Sequence, residues 1–169
     1  FMTRVWYRRH FDVPQEMRGK RILLHFGAVD FEATVWVNGE LVGGHKGGYT
    51  PFALDVTELL VDGPNEVVLL AYDDTRSGRQ ATGKQSHQKE SYGCVYTRTT
   101  GIWQTVWLEA VGETWVREFS ITPDVDGQRA LVQAWVDGPC SGRKLRVRVL
   151  DGESTVSYTH LTLPTIYPV

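Results

Sequence analysis

The stretch "EATVWVNGELVGG", residues 32–44, decides the fold class of this 169-residue chain. Two runs rich in valine and other β-formers flank Asn38 and Gly39. Asparagine and glycine tolerate the positive φ angles that both central positions of a two-residue hairpin turn require. The stretch therefore predicts two antiparallel strands joined by a tight turn.

Strand signals continue on both sides of this hairpin, whereas no segment shows the pattern of an amphipathic helix. Aromatic and β-branched residues are concentrated in several further runs, and most of these runs end at glycine, proline or aspartate. The runs are residues 5–13, 20–29, 49–56, 63–74 and 101–111. We predict an all-β sandwich, with one short turn of helix at residues 57–60.

After Val111 the strand pattern begins again, with three short runs separated by turns that contain Asp-Gly or proline. In residues 145–149, apolar side chains alternate with two arginines, which is typical of a strand with one buried face. Three short strands at this spacing predict the beginning of a second β-sandwich. Three strands seldom form a stable sandwich alone, so we expect this second domain, residues 112–155, to be truncated.

The end of the chain, residues 156–169, does not continue this pattern. Residues 156–165, "VSYTHLTLPT", match at every position the translation of a transposon-end adapter used in DNA sequencing libraries. We therefore expect the native sequence to stop near Thr155 and residues 156–169 to be read-through without an evolved structure. The alternative is one more strand that enters a loop at Pro164.

Composition excludes several classes of protein. The formal charge of −2 argues against a nucleic-acid partner, because such proteins usually carry a strong basic excess. No apolar run approaches the roughly 20 residues of a membrane span, so we expect no membrane partner. The five histidines and two cysteines show no metal-binding spacing, and we expect neither a metal nor a cofactor.

The amino terminus does not resemble a signal peptide, because "FMTRVWYRRHFDVP", residues 1–14, has no long apolar core. It enters an alternating strand pattern at once, as though the chain began inside a domain. We therefore expect the start of the first domain, residues 1–111, to be missing. The sequence does not fix the cellular compartment.

Residues 73–95, "DDTRSGRQATGKQSHQKESYGCV", form a long polar segment between two strand signals. Connections longer than about 12–15 residues without secondary structure are uncommon and tend to be functional or disordered. We predict that this segment is the working surface of the chain.

Four blocks carry a family resemblance: "WYRRHFDVP", "GAVDFEATVWVNGELVGGHKGGYTPFALDVT", "NEVVLLAYDD" and "YTRTTGIWQTVWLE". Together they resemble the amino-terminal domain of glycoside hydrolase family 2, which includes β-galactosidases, β-glucuronidases and β-mannosidases. The resemblance covers roughly residues 6–109. It implies a jelly-roll-like, galactose-binding-domain-like sandwich in residues 1–111, followed by a truncated immunoglobulin-like sandwich in residues 112–155.

The resemblance also implies a reaction. Members of this family are retaining glycosidases whose two catalytic glutamates both lie in a TIM barrel that follows the sandwiches. This chain ends before such a barrel, so we expect it to contain no catalytic residue and to be inactive alone. Its expected partners are a carbohydrate substrate and the barrel of the same parent chain. The Asn65-Glu66 dipeptide matches the family's acid/base motif, but it sits in a turn that enters a strand, and we interpret Glu66 as structural.

The approach to the last strand of the first domain lies near the sugar pocket in this family. The resemblance therefore makes Arg98, with its neighbour Tyr96, a candidate contact at the pocket rim. Lys84 and Gln85 are further candidates there, because they follow Gly83 in the long polar segment and a glycine lets the backbone approach a ligand closely. Arginine, lysine and glutamine can donate hydrogen bonds to sugar oxygens. Val95 occupies a position where family members often carry an aspartate, which places direct transfer of that contact in doubt. A solvated or ion-paired arginine and a mobile surface loop are the alternatives.

The aromatic residues have two interpretations, sugar stacking and core packing. Aromatic side chains in strands are more often core, so we predict that Trp103, Trp107 and Trp36 pack inside the sandwich. We likewise predict that Tyr49 and Phe52 are tucked into the sandwich.

Three functions fit these observations. The first is the non-catalytic front of a retaining glycosidase, which supports the barrel and lends loop residues to the substrate pocket. The second is a stand-alone carbohydrate-binding module, and the third is a structural interaction domain without sugar contact. The sequence fixes neither the sugar nor the oligomeric state.

Overall fold

A computed structural model describes residues 2–163 of the chain. Contacts between Cα atoms divide the chain into two compact units, Phe1–Val111 and Gly112–Val169. The domain ranges inferred from sequence, 1–111, 112–155 and 156–169, stay a prediction. Part of the last range, residues 164–169, lies outside the described residues.

Strands make up nearly all the regular structure of the described residues, which confirms the all-β prediction. Two 3₁₀ turns, Gln15–Met17 and Thr57–Leu59, interrupt them. The strands are β1 Arg4–Phe11, β2 Arg21–Phe26, β3 Val29–Asp30, β4 Glu32–Val37, β5 Glu40–Lys46, β6 Phe52–Asp55, β7 Asn65–Tyr72, β8 Gly101–Ile102, β9 Val106–Val111, β10 Trp115–Asp124, β11 Arg129–Asp137, β12 Lys144–Asp151 and β13 Ser154–Thr162.

The first unit is built from two main antiparallel sheets. One has the strand order β1-β7-β4-β5 and the other has the order β6-β2-β9. A short pair, β3 with β8, lies where the long connection after β7 returns to the sandwich. Buried side chains from both main sheets, together with Val29 of β3 and Val56 after β6, form one hydrophobic cluster. Its members are Ile22, Leu24, Phe26, Val29, Ala33, Val35, Val37, Val56, Leu69 and Ala71.

Alternation along each strand decides which side chains enter this cluster. Successive side chains of a strand point to opposite faces of the sheet, so every second residue faces the core. In β4 the buried residues are Ala33, Val35 and Val37, and the residues between them are only partly buried. Trp36 therefore lies on the outer face, with its ring 5.6 Å from that of Trp6. The prediction that Trp36 is a core residue is wrong because Trp36 has the opposite phase.

The hairpin between β4 and β5 confirms the prediction from residues 32–44. Asn38 and Gly39 have φ angles of 51° and 86°, as the two-residue turn requires. The Asn38 side chain also donates to Asn65 Oδ1 at 2.8 Å and to the Leu59 carbonyl at 2.7 Å. The turn is thereby fastened to the loop that precedes β7.

Asn65 is fully buried at the start of β7. Its Oδ1 accepts from the Val61 backbone at 2.9 Å, and its Nδ2 donates to the carbonyls of Val61 and Gly63 at 3.1 and 3.0 Å. A buried amide with every polar group bonded adds stability, whereas an unbonded one costs free energy. Asn65 therefore organises the turn before β7. Its neighbour Glu66 forms exposed ion pairs with Arg8 and His10.

The 3₁₀ turn at Thr57–Leu59 was also expected from the sequence and is confirmed. Asp55 Oδ1 accepts hydrogen bonds from the Thr57 backbone at 3.0 Å and from the Thr57 hydroxyl at 2.6 Å. Partial burial acts to raise the pKa of Asp55, but the bonds from Thr57 and the Arg21 guanidinium hold that pKa below 3.8.

The second unit consists of two separate hairpins, β10 with β11 and β12 with β13. The sequence predicts three strands here, and β13 is the fourth. It pairs with β12 through residues 154–162, although every described side chain of residues 154–161 is exposed. The origin of residues 156–169 as read-through stays a prediction.

Of the helices in residues 2–163, none is both long enough and apolar enough to span a membrane.

Candidate functional site

The long connection between β7 and β8 is fastened to the sandwich by two buried aspartates. Asp73 follows β7 directly and is 2% exposed. Its carboxylate accepts from Gln80 Nε2 at 2.5 Å and from the Thr100 hydroxyl at 2.9 Å. Asp73, the first residue of the connection, therefore bonds to Gln80 within the connection and to Thr100 at its end. These two bonds close residues 73–100 into a compact loop.

Asp30 anchors the same loop from the other side. It ends β3 and is 3% exposed, and its Oδ2 accepts from Gln85 Nε2 at 2.7 Å and from the Thr99 hydroxyl at 3.5 Å. Gly48 lies against this carboxylate: a Cβ at position 48 would stand 2.5 Å from Asp30 Oδ1. The absence of a side chain at Gly48 leaves the space that the carboxylate occupies.

The environment of Asp30 favours its neutral form. Burial, reinforced by the charge of Asp73, raises the pKa of Asp30 from 3.8 to about 6, and the hydrogen bonds from Gln85 and Thr99 limit the rise. A carboxyl group deprived of water is harder to ionise, which is the physical cause of the larger effect. The loop anchor therefore contains a carboxyl group that titrates close to neutral pH.

Gln85, predicted at the pocket rim, is buried beneath the loop instead of projecting from it. It is 7% exposed, and both ends of its amide are engaged. Besides the bond to Asp30, its Oε1 accepts from the Thr99 backbone at 3.0 Å. The Gln85 side chain therefore joins β3 to the end of the loop from a buried position.

Lys84 and Tyr96 lie on two neighbouring segments of the loop. The Tyr96 backbone donates to the Lys84 carbonyl at 2.7 Å, and the Ser86 backbone donates to the Tyr96 carbonyl at 2.7 Å. Both side chains are exposed, Tyr96 to 61%. The structure thus brings these two predicted site residues together on two backbone segments that are hydrogen-bonded to each other.

Arg98 contacts the loop itself. Its guanidinium donates to the carbonyl of Ser86 at 3.3 Å and to the carbonyl of Gln88, and the side chain is half-buried. Ser86, which is fully buried, donates through its hydroxyl to the Glu90 carbonyl at 2.7 Å. Arg98 and Ser86 together hold the outer turn of the loop.

The segment around Val95 forms a tight turn. The backbone groups of Tyr92 and Val95 bond to each other in both directions, at 3.1 and 2.8 Å. Cys94 lies within this turn as an exposed free thiol. Within residues 2–163, no group of three or more histidine, cysteine, aspartate or glutamate side chains could hold a metal ion.

Two tryptophans predicted as core residues are exposed. Trp103 and Trp107 are 45% and 42% exposed, and Tyr49, also predicted to be inside, is 68% exposed. Phe52, by contrast, packs against the core with its ring 4.8 Å from that of Phe26. The predictions that Trp103, Trp107 and Tyr49 lie in the core are therefore wrong. The rings of these three residues line one open cleft of about 620 Å³.

The register of β9 explains the exposure of Trp107. Trp107 pairs with His25 of β2, and both residues have the phase opposite to that of the buried Leu24 and Phe26. A signal for this was present in the sequence. Trp107 stands two residues before Glu109 and therefore shares a face with a charged side chain.

The family model described as "Glycosyl hydrolases family 2, sugar binding domain" matches residues 2–109. A β-galactosidase of Thermoanaerobacter pseudethanolicus is 36% identical over 119 residues, which are 70% of this chain and 15% of that protein. A β-glucuronidase of Paenibacillus borealis is 28% identical over 166 residues, which are 92% of this chain and 28% of that protein. The chain thus spans less than a third of the length of these relatives.

Solved structures give the same picture. The β-glucuronidase from Ruminococcus gnavus in complex with C6-substituted uronic isofagomine matches with a TM-score of 0.72 and 26% identity, over 95% of this chain and 29% of that chain. A putative β-galactosidase from Bacteroides fragilis matches with a TM-score of 0.75 over 96% of this chain and 25% of that chain. Its identity of 22% shows a shared fold and nothing further.

Proposed function

Because the chain belongs to glycoside hydrolase family 2, we propose that it is the non-catalytic amino-terminal portion of a retaining glycosidase that acts on terminal β-linked sugars. The observation that carries this proposal is the match to the family's sugar-binding domain over residues 2–109. Relatives named β-galactosidase and β-glucuronidase, which are several times longer than this chain, support a hydrolase as the parent protein.

The buried carboxyl groups of the chain support a non-catalytic role. Retaining glycosidases need two carboxyl groups about 5–5.5 Å apart that both face the sugar. Asp30 and Asp73 are the buried carboxyl groups of the described residues, and the raised pKa of Asp30 is a property that a general acid would need. Both, however, are 3% exposed or less and bonded to loop side chains. No sugar can reach them, so they serve to anchor the loop.

The loop of residues 73–100 is the part of the chain that we propose reaches the substrate pocket. Lys84 and Tyr96 project from it into solvent, and they are the side chains that we propose contact sugar. Gln85 and Arg98 act as positioning residues, because their polar groups are bonded to Asp30 and to loop carbonyls. The sandwich supports the barrel of the parent and holds this loop in place.

The first test is an assay of the 169-residue chain with nitrophenyl β-galactoside and nitrophenyl β-glucuronide. We expect no hydrolysis above that of buffer, because the two buried carboxyl groups of the described residues, Asp30 and Asp73, are closed to a sugar and bonded to loop side chains. Hydrolysis that is lost in Asp30→Asn would show that the chain is itself an enzyme.

The second test uses a longer glycosidase that carries this chain as its amino-terminal part. We expect Lys84→Ala to raise KM about tenfold with little change in kcat, since one charged hydrogen bond to the bound sugar is lost. Lys89→Ala is the matched control, because Lys89 is an exposed lysine of the same loop. Equal KM values for the two variants and the unsubstituted enzyme would contradict a pocket role for Lys84.

A further inference from the structure

The cleft formed by the exposed aromatic residues has the features of a built binding site. Its walls are the rings of Tyr49, Trp103 and Trp107, and its lining is completed by Gly27, Pro51, Gln104 and Thr105. Three large aromatic side chains that are all more than two-fifths exposed, and that converge on one concave surface, are unusual in a domain with a well-packed core. We name this surface the aromatic cleft.

Each tryptophan of the aromatic cleft is held by contacts on its protein side. Trp103 Nε1 donates to the Gly48 carbonyl at 2.8 Å, and the Tyr49 ring meets the Trp103 ring edge-on with centroids 5.7 Å apart. Trp107 stacks on His25, with centroids 4.8 Å apart and an interplanar angle of 8°. The aromatic surfaces are therefore arranged before any ligand arrives, which lowers the entropy lost on binding.

Polar groups are available between the rings. The side chains of Gln104 and Thr105 are exposed, and together they offer an amide and a hydroxyl. Gln104 lies close over Gly27, where a Cβ would stand 2.8 Å from Gln104 Cβ and 3.0 Å from its Oε1. Glycine at position 27 thus makes the space in which the Gln104 side chain rests.

The aromatic cleft carries no charge of its own. None of the described residues that line it has a carboxylate, ammonium or guanidinium group. Beside it, on the outer face of β9, Glu109 Oε2 lies 2.8 Å from His25 Nε2, beneath Trp107. The lining therefore offers no cationic side chain that could pair with an anionic ligand.

We propose that the aromatic cleft binds a neutral pyranose unit of a glycan. The C–H face of a pyranose ring is apolar and stacks on an exposed aromatic ring, while its hydroxyls require hydrogen-bonding partners beside the ring. Trp107 provides the stacking surface, Trp103 and Tyr49 form the opposite wall, and Gln104 and Thr105 bond the hydroxyls. Acidic sugars are excluded by the absence of a cationic side chain in the lining.

This inference is independent of the role proposed for the loop. The aromatic cleft would bind sugar in the isolated chain, with no barrel present, whereas Lys84 affects turnover in the longer enzyme. Failure of one therefore leaves the other standing.

The test is a titration of the 169-residue chain, labelled with ¹⁵N at its six tryptophans, with cellotetraose. The indole N–H signals of Trp103 and Trp107, assigned from Trp103→Phe and Trp107→Phe, are expected to shift together with a dissociation constant on the order of 1 mM. The signal of Trp6, which is 62% exposed outside the aromatic cleft, is expected to stay in place.

Substitutions sharpen the titration. Trp107→Ala is expected to weaken binding about tenfold or more, and Gln104→Ala about fivefold. Trp6→Ala is the matched control, because it removes an equally large and more exposed ring from the other main sheet and should leave the affinity unchanged. Gln104→Ala keeps the inference testable if Trp107→Ala impairs folding, since Gln104 is exposed and outside the core cluster.

Three results would overturn the inference. One is the absence of shifts at Trp103 and Trp107 at the highest soluble concentration of cellotetraose. Another is an affinity that Trp107→Ala and Gln104→Ala leave unchanged. The third is binding of methyl β-glucuronide as tight as that of the neutral methyl β-glucoside, since this would contradict the neutral sugar class. If no sugar binds and Trp107→Ala lowers the Tm of the longer enzyme, the aromatic cleft is a contact between domains.

Discussion

The two units of the chain share one kind of strand but differ in what their strands bury. In the first unit, two sheets face each other across a cluster of ten buried apolar residues. In the second, no side chain of the described residues 112–163 is fully buried. Phe119 and Leu131, on the paired strands β10 and β11, are 65% and 61% exposed.

The difference shows that an alternating pattern makes a strand amphipathic but does not by itself make a core. In residues 145–149 the alternation is as regular as in β4, yet β12 pairs only with β13. A sheet buries its apolar face only when a second layer covers it. An isolated two-stranded hairpin is marginally stable in water. The first unit is therefore expected to hold nearly all the folding free energy.

Hydrogen exchange should show this contrast most strongly. The amide of Leu69, in the strand of the four-stranded sheet that lies between β1 and β4, should exchange at least about a thousandfold more slowly than that of Val147 in β12. Exchange measured residue by residue by NMR at one pH tests this. Similar protection of both amides would mean that the second unit has a core of its own.

One substitution made in both units gives the next largest difference. Phe26→Ala should lower the free energy of unfolding by about 3–5 kcal/mol, because Phe26 is 1% exposed and its loss leaves a cavity. Phe119→Ala should change it by less than about 0.5 kcal/mol. Urea unfolding of both variants measures the two values. A large effect of Phe119→Ala would contradict the picture of an uncovered sheet face.

Turn residues provide a smaller contrast. Asn65→Ala should cost about 2–3 kcal/mol, because it empties a fully buried site and removes the side-chain partners of the Val61 and Gly63 backbone groups. Asp124, which accepts from the Gly127 backbone at 2.9 Å in an exposed turn of the second unit, is the counterpart. Asp124→Ala should shift the urea midpoint far less, because water replaces the lost partner. Equal midpoints for the two variants would be the contrary result.

The smallest effect is in pH dependence, where one carboxyl group of each unit, Asp30 and Asp124, should respond in opposite directions. The raised pKa of Asp30 makes its stabilising contribution fully present below about pH 3.8 and lost as the pH rises through about 6. The Gly127 amide and Arg129 hold the pKa of Asp124 below 3.8, so its contribution is present above that pH and lost on acidification. Unfolding of the first unit, followed between pH 4 and pH 6, should become less pH-dependent in Asp30→Asn. An unchanged slope would contradict the assignment to Asp30.

Local signals in the sequence were sufficient where the structure is local. The hairpin at Asn38 and Gly39 and the turn at Thr57 depend on residues within a few positions of each other, and the sequence predicted both. The resemblance of four blocks was likewise enough to identify the family, which the match over residues 2–109 shows.

Long-range contacts were beyond such reasoning. The bond between Gln85 and Asp30 joins residues 55 positions apart, and no local pattern distinguishes a buried glutamine from an exposed one in a polar loop. The burial of Gln85 therefore could not be predicted from the sequence, and its role as a sugar contact stays a prediction. The prediction for Trp103 and Trp107 is wrong for another reason: strand aromatics are usually core, but Trp107 shares the outer face of its strand with the charged Glu109.

Gly48 connects two surfaces that would otherwise be independent. Because Gly48 has no side chain, the Asp30 carboxyl group fits beside it. The Gly48 carbonyl also accepts a hydrogen bond from the indole N–H of Trp103. An engineer who wished to change the sugar preference of the aromatic cleft by moving the backbone at position 48 would also displace the anchor of the loop. Libraries that diversify the aromatic cleft or the loop should therefore keep glycine at position 48 and vary the side chains around it. A change of backbone at this position would alter both surfaces together.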